Sequence, residues 1–224
     1  MKIGTCSKGS TDMKEKLRSS LGKVTFELMI VTLGVLIALV INEWFQNYQE
    51  ERRAHEILEK THYEMKSNLT SLQSALKDYE DSIAYIDKLI EDGREATNKN
   101  YLFSIPQEDL SVSVWRFALL RDELRELPVE LLVRIESGYE STKHVKNTME
   151  KMGPSFLTEF INKFIASEDQ TQLLKSLKQD LKNALLKAKL AAFKQEIIIK
   201  ETEHYLKTGQ VNIEQSKQGL HFKI

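Results

Sequence analysis

The 224 residues carry 32 basic and 33 acidic side chains, a formal charge of −1, and a single cysteine, Cys6. That balance excludes a nucleic-acid binder working by bulk positive charge, and one cysteine excludes an internal disulfide framework. Only three prolines and nine glycines interrupt a chain rich in Leu, Lys, Glu and Ala, so helix is expected and no strand-like alternation competes with it.

Residues 1–25 form a short basic segment. In "TDMKEKLRSSLGKV", Asp12 and Glu15 have capping-box spacing. Met13, Leu17, Leu21 and Val24 recur at helical spacing. Two readings stay open: an interfacial amphipathic lead-in, or a tail that only sets topology.

"FELMIVTLGVLIALVINEWF", 26–45, comes next. Leu28 to Ile41 is apolar except at Thr32 and Gly34. Those residues alone span about 21 Å of helix at 1.5 Å per residue, short of a hydrocarbon core of roughly 30 Å. With the flanks to Phe26 and Phe45 the length suffices. Glu27 then falls near one headgroup layer and Asn42, Glu43 and Trp44 near the other, where charge and an amphipathic ring are tolerated. The rival is a core helix of a soluble bundle.

Six basic residues precede the run: Lys2, Lys8, Lys14, Lys16, Arg18 and Lys23. Residues 43–62 hold three: Arg52, Arg53 and Lys60. The asymmetry predicts a cytoplasmic N-terminus and an exported remainder. "LVINEWF" after Ala38 is bulky, so a retained signal anchor is expected rather than a cleaved signal peptide. Residues 1–27 carry +3 and the remainder −4. Asn68-Leu-Thr matches a glycosylation triplet, which means nothing in a bacterial export route.

A helical region is expected over 46–208. From Glu43 to Glu91 there is neither proline nor glycine. Leu58, Met65, Leu72, Tyr79 and Ile86 lie seven apart, as do His62, Leu69, Leu76, Ile83 and Ile90. Interleaved, they give a coiled-coil stripe. It is satisfied either by later helices of the chain or by a second copy, with the small pair Gly34 and Ala38 packing two spans. "EDGREATNKNYLFSIPQ" predicts a loop. A helical region then starts near Glu108, kinked before Pro128, which suits a first helical turn. Leu131, Leu132, Ile135 and Tyr139 make its packing face, and "GPS" at 153–155 stops it. A short helix over 156–166 follows. "SED" at 167–169 caps a last helix from Gln170 to Lys207, whose Ala184, Ala188, Ala191 and Ala192 allow close approach to a neighbour. Gly209 ends it, and 209–224 reads as a weakly ordered tail.

Two stretches resemble a set of uncharacterised single-span proteins common in Bacteroidetes and related bacteria, whose anchor follows a pattern like "GILIALQINNWNE". Glu27, Gly34, Ile37, Ala38, Leu39, Ile41, Asn42 and Trp44 match it. Phe26, Val40, Glu43 and Phe45 depart from it. "VWRFALLRDELRELPVELLVRIESGY", Trp115 to Tyr139, looks like the Trp-to-Tyr helical segment of such proteins, with Arg121 and Asp122 where a glycine is common. The resemblance implies membrane placement and helical architecture, and no activity.

Candidate chemistry is confined to two Glu-x-x-His triplets, Glu59–His62 and Glu201–His204. On neighbouring helices this spacing can present carboxylate and imidazole to a metal, as in di-iron bundles. Such a site needs two further glutamates that the sequence does not identify. His62 lies in the apolar stripe, where a single hydrogen-bonded core histidine suffices. No G-x-S-x-G, phosphate-cradling glycine loop or H-E-x-x-H occurs.

The expectation is an all-α protein: one N-terminal transmembrane helix and an elongated antiparallel helical bundle. It would sit in the bacterial inner membrane with its bulk in the periplasm. Its expected role is a scaffold, interaction or sensory module without cofactor or catalysis, meeting the lipid bilayer, a protein partner and potentially a second copy, and no nucleic acid. The alternative is a metal-dependent oxidoreductase using Glu59, His62, Glu201 and His204.

Overall fold

The computed structural model describes residues 9–92, 106 and 109–211. They are all-α: a long N-terminal helix and four shorter ones that form a bundle. The helices are α1 (Gly9–Asp92), α2 (Ser113–Ala118), α3 (Val129–Lys151), α4 (Pro154–Ala166) and α5 (Gln170–Thr208), with a 3₁₀ turn at Asp122–Glu126. The chain divides into two compact units, Met1–Arg52 and Arg53–Ile224. Most of the expected loop, 93–105 and 107–108, lies outside the described residues, as do Cys6 and the tail beyond 211.

In the first unit the backbone is helical from Gly9, three residues before the Asp12 that has capping-box spacing. Every large apolar side chain from Leu28 to Ile41 is more than half exposed, between 52% and 71%. An 18-residue window here has mean hydropathy 2.2 and none of it is buried, so by length and composition the helix can cross a membrane. The Thr32 hydroxyl donates to the Leu28 carbonyl at 2.8 Å, so this polar group is satisfied within its own helix. Trp44 stacks on Tyr48 with ring centroids 6.2 Å apart.

The second unit is a three-helix bundle of α1, α3 and α5. Its direction follows from side-chain pairs. Asp87 meets Lys178 and Glu80 meets Lys189, so α5 runs antiparallel to α1. Arg134 meets Glu201 and Thr142 meets Gln195, so α5 is also antiparallel to α3. Tyr139 reaches Glu64, and Val145 and Met149 share a core with Leu72 and Tyr79, so α1 and α3 run parallel. The expected antiparallel return of the last helix holds, while the first pair is parallel: the chain leading into α2 and α3 starts beside the middle of α1, not at its end. By Ser111 it is already beside Asn68.

Local chemistry explains the helix ends. The region expected from Glu108 is three pieces rather than one kinked helix. Leu127, just before Pro128, is held extended at φ −91, ψ 148, as the pyrrolidine ring requires. Pro128 itself stands one residue before α3, and its carbonyl accepts from Leu131 and Leu132. Pro154 opens α4 two residues earlier than expected, since the first helical position needs no N–H. Asp169 caps α5, accepting from the Gln172 N–H at 2.9 Å. Gly209 closes it at φ 67, a left-handed conformation that suits glycine.

The core corrects the stripe on α1. The row Leu58, Met65, Leu72, Tyr79 and Ile86 is buried throughout. Its partner row is Thr61, Asn68, Ala75 and Ser82, also buried. The more apolar row His62, Leu69, Leu76, Ile83 and Ile90 is only half-buried. Small side chains fill the seam while larger ones shield its edge. On α5 the four alanines are buried as expected. Gly138 of α3 meets the same helix so closely that an added Cβ would lie 2.6 Å from Cδ1 of Ile198.

Candidate functional site

The buried polar groups concentrate where α2 joins α1 and α3. Glu64 is 6% exposed and Asn68 is 1% exposed. Four residues apart, they face the same way on a helix. They grip the strand of chain entering α2.

One oxygen of Glu64 accepts from the Ser111 hydroxyl at 2.5 Å, the Ser113 N–H and hydroxyl at 3.1 Å, and the Val114 N–H at 3.1 Å. Its other oxygen accepts from the Tyr139 hydroxyl at 2.6 Å. The residue preceding α2, Val112, offers no side-chain cap. A carboxylate from another helix therefore satisfies the first N–H groups of α2, where negative charge is favoured. The Asn68 side chain donates to the Ser111 carbonyl at 2.7 Å and accepts from its N–H at 2.9 Å, taking up both backbone groups of one residue. The asparagine of the glycosylation triplet is thus a buried clamp. Lys146 donates to the Leu110 carbonyl at 3.0 Å.

Aromatic rings complete the latch. Trp115 stacks on Tyr139 with centroids 5.7 Å apart and planes 8° from parallel. The indole N–H donates to Glu136. The two ends of the Trp-to-Tyr segment singled out in the sequence meet face to face.

Electrostatics follow from this wiring. Burial pushes the Glu64 carboxyl upward, but hydrogen bonds from Ser111, Tyr139, Val114 and Ser113 outweigh it and hold the group below its usual range. Burial, with the bond to Glu64 added, pushes the Tyr139 phenol well up. Both effects fix the tyrosine as donor and the carboxylate as acceptor. The arrangement is suited to holding a segment in place; its charged oxygens are already taken by the chain's own donors.

The two Glu-x-x-His triplets are divided by the fold. Glu59 is exposed and lies 3.6 Å from His55 on its own helix. His62 is half-buried with no partner at Nδ1 among the described residues. Burial and then Lys66 hold its pKa down, against the pull of Glu203 on α5. Glu201 is 3% exposed and gives one oxygen to Arg134. Burial pushes its carboxyl up and Arg134 opposes this; its other oxygen has no partner among the described residues. His204 is half-buried. The field of Glu203 at His62 puts the two helices at one level, but Glu59 turns outward and Glu201 turns to arginine. Among the described residues no group of three or more His, Cys, Asp or Glu could hold a metal ion.

Sequence reasoning missed Glu64 and Asn68. Their signal was there, as Thr61 and Asn68 seven apart within the helical stripe. The competing row is more apolar and masks it.

No family model matches the chain, and no curated protein or solved structure matches it.

Proposed function

We propose that this protein is a membrane-anchored helical interaction module of the bacterial envelope, a scaffold or sensory element without catalysis of its own. The observation that carries the reading is the apolar stretch Leu28 to Ile41, with every large side chain more than half exposed. Leaving so much apolar surface in water costs about 25 cal/mol per Å², and a bilayer removes that cost. The basic excess before the stretch supports an N-terminus in the cytoplasm and a periplasmic bundle. Trp44 and Tyr48, both exposed, suit a headgroup layer. The resemblance to uncharacterised single-span proteins points the same way.

The bundle's polar groups support a role in holding shape. Glu64, Asn68 and Tyr139 are spent on the α2 segment, and Arg134 and Glu201 are spent on each other. A signal received by the bundle would pass to a partner protein.

Protease added to intact spheroplasts should remove the mass beyond residue 45. If that mass is protected until lysis, the topology is wrong. Crosslinking in native membranes should then capture a protein partner.

A further inference from the structure

The strongest unassigned feature is the outer face of α5. Its core face uses Ala184, Ala188, Ala191 and Gln195, all buried. Two residues on, about 200° round the helix at 100° per residue, lies a second apolar row: Leu186, Leu190, Phe193 and Ile197. Leu186 is 59% exposed and Leu190 is 44% exposed, while Phe193 and Ile197 are half-buried. The steps of four, three and four are those of a coiled-coil seam. A solvated helix face gains nothing from this spacing, and a helix with two opposed apolar rows is built to be covered on both sides.

The flanks indicate what covers it. From 182 to 200 the helix carries Lys182, Lys187, Lys189, Lys194 and Lys200 against one acid, Glu196. Lys189 is answered by Glu80 and Lys200 by Glu196, each at 2.8 Å. Lys194 donates to Ser141 and Ser137. Lys182, Lys187 and Lys194 meet no carboxylate among the described residues. A second copy would set lysine against lysine along the seam, which disfavours self-pairing.

We infer that the outer row of α5 docks an amphipathic helix of a partner protein whose own apolar row is flanked by Asp or Glu. This rests on the interaction-module reading and names its surface. The exposed Leu186 and Leu190 side chains, with Ile197 beside them, enter the partner's seam, and the lysines select acidic flanks and speed encounter.

The test uses the full chain in neutral-lipid nanodiscs and two labelled synthetic peptides of about four heptads. Both carry leucine at the seam; one has glutamate at the flanking positions and the other lysine. The glutamate peptide should bind, and the lysine peptide should bind at least about tenfold more weakly. The double variant Leu186→Gln, Leu190→Gln should lose about tenfold in affinity with helicity and melting unchanged, because both side chains face solvent. Equal binding of the two peptides, no binding, or binding indifferent to the double variant overturns the proposal. So do interchain disulfides from Leu190→Cys in a Cys6→Ser background, which would give the row to a second copy. A photo-crosslinker at Leu190 in native membranes separates this from the broader reading. Protein crosslinks at the exposed Tyr63 but none at Leu190 would sink this surface alone; none at either position would sink the interaction-module reading with it.

Discussion

Among the described residues the bundle has two buried tyrosines, and they sit in halves built by different means. Tyr79 belongs to the α4 end, in a core that also holds Leu72, Ala75, Ile86, Leu177, Leu181 and Ala188. Its hydroxyl has no partner among the described residues, and burial pushes its pKa up to about 12. Tyr139 belongs to the α2 end, where its ring lies against Trp115 and its hydroxyl donates to Glu64. One end has an apolar core, with the ion pairs Asp87–Lys178 and Glu80–Lys189 outside it. The other spends carboxylate, amide and hydroxyl groups to fix a returning segment that has only short helix of its own. The same residue type therefore means packing in one half and wiring in the other.

The largest effect should come from the apolar half. Leu181→Ala removes a side chain only 1% exposed and should cost about 3 kcal/mol, transfer and cavity together. Urea unfolding would show a lower midpoint. A cost below about 1 kcal/mol would mean that this end collapses easily and is not the rigid half.

Glu64→Ala should come next, at about 2 kcal/mol, since it strands the Ser111, Ser113, Val114 and Tyr139 donors. The pH dependence has a definite sign. The folded pKa of Glu64 is depressed, so its stabilisation is full above the ordinary value of 4.5 and is lost as pH falls through the lower folded value. Glu201 works oppositely: its raised folded pKa makes stability fall as pH rises from 4.5 through that value. Melting scans of Glu64→Gln should decline less steeply below pH 4.5 than those of wild type. An unchanged decline would remove Glu64 from the latch.

The tyrosines give a paired test. Tyr139→Phe removes one charge-assisted donor and should cost about 1.5 kcal/mol. It should also flatten the near-ultraviolet dichroism of the Trp115 stack only slightly, because the ring remains. Tyr79→Phe should cost nothing, or stabilise by up to about 1 kcal/mol, because it deletes a buried hydroxyl without a partner. Equal costs for the two substitutions would erase the distinction between the halves.

The smallest effect is expected at Gly138→Ala. Alanine gains about 1 kcal/mol in helix propensity, and the new methyl displaces only the flexible end of Ile198. The net change should lie within about 1 kcal/mol of zero. A loss well beyond that would show that α3 and α5 are pinned at this crossing, so that Ile198 has nowhere to turn.

Local structure was legible because it depends on near neighbours. Asp169, Gly209 and the two prolines at 128 and 154 marked helix ends through their own dihedral and capping preferences. The alanine face of α5 and the row from Leu58 to Ile86 were also readable, since a uniformly apolar row at helical period has one stable placement. The second row of α1 was not. Thr61, Asn68, Ala75 and Ser82 look like a polar edge beside Leu69, Leu76 and Ile83, yet they occupy the seam. Which row turns inward depends on what lies opposite, and a small row admits close neighbours that a leucine row would hold off. The parallel course of α1 and α3, the stacking of Trp115 on Tyr139 and the use of Glu64 to cap α2 were decided only in the tertiary structure. Each joins residues separated by a chain reversal, and each carboxylate or amide found its partner by position in space. Glu59 and Glu201 show the same principle: one triplet spacing leaves one carboxylate in solvent and buries the other against Arg134. Sequence period fixes the face a residue shares, and packing chooses what that face meets.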